Sequence, residues 1–220
     1  MAINLRHISR MYQLEDPLSC LEKHPPPKSL YKEIINTKIT SFHEKEMKLK
    51  AKTNSLMQYM NVDLWGLRGR VHPSLANIIT TDEVKVLRPH IKFLSGDYLT
   101  YQRKYQESGK GNPVCRICGL ENESITHILT QCPAYKLIRD RIVEEFSEIC
   151  TLTQNNFDFE NVKTDPESLA QFLLDPTSFN LKTRVHVSDP VVPALFKLCR
   201  DFCYAVHRER IRKINELLKK

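Results

Sequence analysis

A chain of 220 residues, 41% of them hydrophobic, has the material for one medium core, while six glycines against twelve prolines are too few for the loops of a sheet-rich enzyme. The net charge of +7 sits on the flanks: +4 over residues 1–60, +3 over 61–114 and +5 over 191–220, against −5 over 115–190. Basic flanks favour nucleic acid as a partner, with plain solubility the alternative explanation.

No apolar run of signal-peptide length occurs in Met1 to Cys20, and none elsewhere approaches the roughly eighteen residues of a membrane span. A soluble, intracellular protein with no membrane partner is expected. Residues 1–27 are poorly periodic and end in His24-Pro25-Pro26-Pro27, which reads as a disordered arm or linker. From Lys28 to Met60 the chain has no Gly or Pro, and Leu30, Ile34, Ile35, Ile39 and Phe42 recur at helical spacing. One long helix, or two in tandem, is expected there. Its latter half carries Lys45, Lys48, Lys50 and Lys52, a face for phosphate or simply a solvated one.

Trp65-Gly66-Leu67-Arg68-Gly69-Arg70 is a glycine-punctuated turn whose tryptophan reads as a core plug beside a bend. Thr80 and Glu83 have the spacing of a capping box. The helix it opens would place Val84, Leu87, Ile91 and Leu94 on one face, with a kink expected at Pro89. A further helical segment over Tyr98 to Tyr105, then the loop Gly109 to Pro113, completes a helical region over residues 28–114.

Residues 115–133 hold Cys115, Cys118, His127 and Cys132 at the spacing C-x2-C-x8-H-x4-C. Three thiols and one imidazole suit a single tetrahedral zinc ion in a closed, structural site. Cys115 to Gly119 has the form of a knuckle, with Gly119 free to take the left-handed geometry of a tight turn. Ser124 can cap a short helix whose third residue is His127. Positions 127 and 132 lie about 140° apart around an α-helix, so the helix is expected to break before Cys132, and Pro133 agrees. A filled shell with no adjacent general base disfavours catalysis.

Ala134 to Cys150 reads as an amphipathic helix with Leu137, Ile138, Ile142 and Phe146 inward. Asp165-Pro166, Asp175-Pro176 and Asp189-Pro190 each pair a capping carboxylate with a residue suited to a first helical turn. The last would open a helix from about Val192 to Leu218, and residues 134–220 are expected to pack as helices on the same domain. Cys199, Cys203 and His207 recur every four residues, but the ends would be about 12 Å apart, too far for one ion. These cysteines read as core residues. Seven cysteines, three at ligand spacing, argue against a disulfide framework. His7, His24, His43, His72, His90 and His186 have no partner that the sequence identifies.

The positions Cys115, Cys118, Glu123, Ser124, His127, Leu129, Cys132 and Pro133 together resemble the zinc-binding domain downstream of the reverse transcriptase in non-LTR (LINE-like) retrotransposons. The helix with Arg88, His90, Leu94, Ser95 and Gly96 is similar to the segment that precedes the knuckle there. The resemblance covers about residues 65–150 and is looser beyond them. It implies a mainly α, zinc-stabilised module that binds element RNA or target DNA beside a polymerase. The chain has no adjacent Asp-Asp pair, which two-metal phosphoryl transfer would need, and no endonuclease-like acidic cluster. A non-catalytic module is therefore expected, either a piece of such a polyprotein or a separate gene. The loop Gly119 to Thr126 has two glutamates and no aromatic residue, unlike knuckles that stack on bases. Phosphate contact falls instead to Lys45, Lys48, Lys50, Lys52, Arg68 and Arg70, or to Arg208, Arg210, Arg212 and Lys213. Two other readings stand beside this one: a zinc-braced adaptor for an acidic protein partner, and a retroelement remnant with no present function.

Overall fold

The computed structural model describes residues 2–15, 19, 26–64, 72–75, 78, 80–152, 159–179 and 191–219. Among these residues the architecture is helical and no strand forms. No described helix is long and apolar enough to cross a membrane. The Trp65 to Arg70 turn, His24, Pro25, His186 and Asp189-Pro190 lie outside the described residues. Packing divides the chain into two units, the first built on Met1–Thr53 and the second on Asn54–Leu64 and Val71–Lys220. That boundary falls inside the helical region 28–114 expected from sequence.

The first unit corrects the expected arm, because helix α1 forms over Ala2–Met11. Its stop carries no Gly, which hides it from a sequence reading. Gln13 takes the left-handed position (φ 54°) instead, and Leu14 N–H donates to Ser9 O at 2.7 Å while Gln13 N–H donates to Arg10 O at 3.2 Å. This pair of bonds is a Schellman ending. Helix α2 runs over Lys28–Thr53 and half-buries Ile35, Ile39 and Phe42, while Leu30 and Ile34 stay exposed. Tyr12 packs edge-on to Phe42 at 5.1 Å, and its hydroxyl meets His43 Nε2 at 3.1 Å. The helix ends before Met60 because Asn54 turns to extended backbone and its side chain accepts from Leu56 N–H, opening a separate 3-10 turn.

In the second unit, helix α3 (Thr81–Leu94) begins at the expected capping box. Glu83 N–H donates to Thr80 Oγ1 at 3.2 Å, and Thr80 N–H donates back to Glu83 Oε2 at 2.8 Å. The helix continues through Pro89, where the ring removes one donor from the i→i−4 ladder. Its inward face is Pro89, His90, Phe93 and Leu94, whereas Val84 stays exposed. Leu94 is buried and Ile91 packs against the core as expected, but counting apolar residues missed the histidine that holds a core position. Burial pushes His90 down to about 4, so the ring is neutral at pH 7, and Nε2–H donates to Leu174 O at 2.8 Å.

Gly96 follows α3 with φ 67°. A Cβ there would overlap the Leu56 carbonyl oxygen and lie 2.8 Å from Leu56 Cα, and backbone cannot swing aside as a side chain can. Gly96→Ala is expected to destabilise the unit by at least about 2 kcal/mol, from left-handed strain plus the clash. Urea unfolding measures this, and a loss under about 0.5 kcal/mol would show that the Leu56 turn is loose.

Helix α4 (Tyr101–Ser108) is capped by Thr100 and ends at left-handed Gly109. A 3-10 turn over Pro133–Tyr135 leads into α5 (Lys136–Leu152). Ile142 and Phe146 point inward as expected, but Leu137 is 85% exposed, because Tyr135 fills the core at that end of the helix. Helices α6 (Phe159–Thr164) and α7 (Pro166–Leu174) follow. Asp165 caps α7, accepting from Ser168 N–H at 2.8 Å, while Asp175-Pro176 opens only a 3-10 turn. Helix α8 (Val191–Leu218) lies most extensively along α3 and then along α5. It buries Leu195, Phe196, Cys199, Phe202, Cys203 and Val206, so Cys199 and Cys203 are core residues as their spacing argued.

Candidate metal centre

The knuckle is built from backbone bonds before any metal enters. Val114 and Asn122 form an isolated antiparallel bridge, and Cys115 N–H donates to Glu121 O while Glu123 N–H donates to Pro113 O, both at 2.8 Å. Gly119 closes the turn with φ 71° and donates to Cys115 O at 2.7 Å. Ser124 caps the next helical turn, accepting from His127 N–H at 2.9 Å, as its position predicted.

From there the geometry departs from an α-helix. Residues His127–Gln131 form a single π turn, closed by Cys132 N–H donating to His127 O at 2.7 Å. An i→i+5 bond widens the turn and brings residues five apart much nearer to one face than an α-helix does. His127 and Cys132 are thereby brought to one side, and the helical turn ends at Gln131, before Cys132, as the sequence predicts. The same turn directs Ile128 and Leu129 into the core, where both are fully buried.

The ligand atoms of Cys115, Cys118, His127 and Cys132 all lie within 4.8 Å of one another. Tetrahedral thiolates about 2.3 Å from an ion are about 3.8 Å apart, so small adjustments would seat one metal ion. Cys118 Sγ is 3.3 Å from His127 Nε2, which marks Nε2 as the ring atom facing the cluster. Nδ1 faces Glu121 Oε2 at 3.4 Å without a hydrogen bond between them, on the side where a metal-bound histidine takes carboxylate support. The Cys115 and Cys132 thiols share a proton, which holds one of the pair, Cys115, below the usual thiol range and pushes Cys132 above it. Contact with Cys115, and then with Glu121, raises His127. An incoming ion displaces the protons these groups share, so its affinity rises with pH. Cys115 and Cys132 belong to the main hydrophobic core, and the cluster is thus part of the fold's centre, not a surface appendage.

Glu123 is the residue whose task spacing alone did not disclose. Its carboxylate is fully buried beside the knuckle and accepts Tyr101 N–H at 2.8 Å. Arg210 of α8 grips it with two bonds, Nε to Oε1 at 3.1 Å and Nη2 to Oε2 at 2.8 Å. The Arg210 guanidinium also lies over the rings of Tyr98 and Tyr101 at 5.4 and 5.8 Å. Arg210 was expected on an open phosphate-binding surface; it is instead a clamp between the metal module and the last helix.

The other expected cations are placed variously. Arg212 is held by Glu209 and Glu216, and Lys213 is 3.5 Å from Glu209. Arg208 lies over the Tyr204 ring at 5.8 Å. In the first unit, Lys48 pairs with Glu44 at 3.0 Å and Lys50 with Glu46 at 2.8 Å, while Lys45 and Lys52 are exposed on α2. Arg68 and Arg70 lie outside the described residues.

A second buried polar group joins His72, Ser74 and Asp175. Ser74 Oγ is 2.8 Å from His72 Nδ1, and His72 Nε2 is 3.2 Å from Asp175 Oδ2. The order resembles a hydrolase relay. However, Ser74 is 1% exposed, and Asp175 also accepts the N–H groups of Asn61 and Thr177. Arg200 of α8 adds a bond to Ser74 O at 3.2 Å, so the group reads as a buried knot between segments. No protein-family model matches the chain, and no curated protein or solved structure matches it.

Proposed function

We propose that the chain is a non-catalytic, zinc-braced helical module that binds nucleic acid. The convergence of Cys115, Cys118, His127 and Cys132 within 4.8 Å of one another carries the reading. Three soft thiolates and one imidazole select zinc over the oxygen-preferring cations, and four protein ligands leave no position for a substrate. Such ligands persist in a reducing compartment, which favours an intracellular protein. The nucleic-acid part rests on the likeness of residues 115–133 to the zinc-binding domain of LINE-like reverse transcriptases and on the basic charge of the flanking segments.

Fluorescence anisotropy with a single-stranded RNA and a duplex DNA, each about 20 nucleotides long, tests the proposal across a salt series. Binding is expected to weaken steeply with salt, since each neutralised phosphate releases condensed counterions. Loss of binding at about 50 mM salt, from folded metal-loaded protein, would sink the nucleic-acid reading and leave the zinc-braced adaptor.

A further inference from the structure

We infer that the nucleic-acid contact lies beside the knuckle itself, on Tyr101, Lys104 and Arg116, and takes the phosphodiester backbone; this rests on the reading just proposed. Arg116 from the knuckle turn lies 4.8 Å from the Tyr101 ring centroid, and Lys104 from α4 lies 5.5 Å from it. Both cations are exposed, and neither meets a carboxylate among the described residues.

The neighbouring acids are already committed. Glu107 holds Arg103 at 2.7 Å, Glu123 holds Arg210 at 2.8 Å and Glu121 faces His127. Two like charges from separate segments therefore converge on one aromatic ring, whose negative face offsets only part of their repulsion. A phosphate lying across them would offset the rest. This contrasts with Lys48, Lys50, Arg212 and Lys213, whose positive charge is matched locally by glutamates. The knuckle's net acidity hides the surface in a residue count, because Glu123 is buried against Arg210 and the exposed Glu121 lies against His127, while Arg116 faces out.

The test compares K104A/R116A and the longer-chain K104Q/R116Q with K45A/R208A, all loaded with zinc and checked for metal content. On the single-stranded RNA, each of the first two variants is expected to lose about tenfold in affinity near 100 mM salt. Their log–log salt slope should flatten by about 1.4, two phosphate contacts at roughly 0.7 each, while K45A/R208A keeps more of both. Unchanged affinity and slope in K104A/R116A and K104Q/R116Q, with the wild type still binding, would overturn this inference alone. A wild type that binds neither RNA nor duplex DNA overturns both this inference and the reading beneath it. A wild type that prefers polyglutamate through the same two cations would assign the surface to an acidic protein and overturn it as well.

Discussion

Replacing Cys115 and Cys132 together by serine is expected to release the metal ion and to cost the second unit its cooperative fold. Both sulfurs are fully buried in one cluster with Phe93, Leu94, Ile128, Leu129 and Tyr135, so the ion would sit where the helices meet. Structural zinc contributes on the order of 10 kcal/mol to the folded state, comparable with the whole stability of a typical domain, about 5–15 kcal/mol. Serine hydroxyls would also be left in an apolar site with their bonding unmet. Circular dichroism melting and elemental analysis check this: the variant should lose its bound metal together with its thermal transition. Cys199→Ser and Cys203→Ser offer the contrast, since those thiols are equally buried but are not among the four converging ligands. They should lower the melting point and leave the metal content near one equivalent. Retention of a sharp, wild-type transition by the Cys115/Cys132 variant would contradict the bracing role.

Arg210→Ala is expected to destabilise the second unit by about 3–5 kcal/mol, the range for breaking a buried ion pair from one side. Glu123 would keep the Tyr101 N–H bond but lose both guanidinium bonds while remaining sealed from water. Arg210→Lys should recover only part of the loss, because an ammonium cannot match the two-pronged contact. The double variant E123A/R210A should be less unstable than the sum of the two single changes, since it removes the orphaned charge with its partner. Urea unfolding of the wild type, the three single variants and the double variant separates this clamp from a phosphate contact. As a surface ligand, Arg210 would lose binding on mutation and shift stability by less than about 0.5 kcal/mol.

The parts legible in the sequence were those whose geometry is local. The ligand set, the caps at Thr80, Ser124 and Asp165, and the knuckle glycine each depend on residues within a few positions of one another. The turn between His127 and Cys132 was half legible: Pro133 marked the stop, but α-helical angles could not bring the two ligands together, and only the wider π turn does. Helix faces were read less well where a polar residue takes a core place, as His90 does through Leu174 O. Leu137 failed for the complementary reason, because an adjacent 3-10 turn supplies Tyr135 to the core in its stead. The largest miss was in charge. A basic segment reads as a phosphate surface until its glutamates are placed, and pairing along α2 and α8 takes up much of that charge, while Arg210 turns inward to Glu123. The same placement exposed Arg116 and Lys104, which lie in or beside the segment whose sequence looked acidic.

The central claim is that a zinc ion closes the Cys115, Cys118, His127 and Cys132 cluster and holds the helices around it. Elemental analysis of folded protein purified without chelator tests it most directly, paired with native mass spectrometry to assign the ion to the intact chain. One zinc per chain is predicted, and less than about half an equivalent in protein shown to be folded would contradict it.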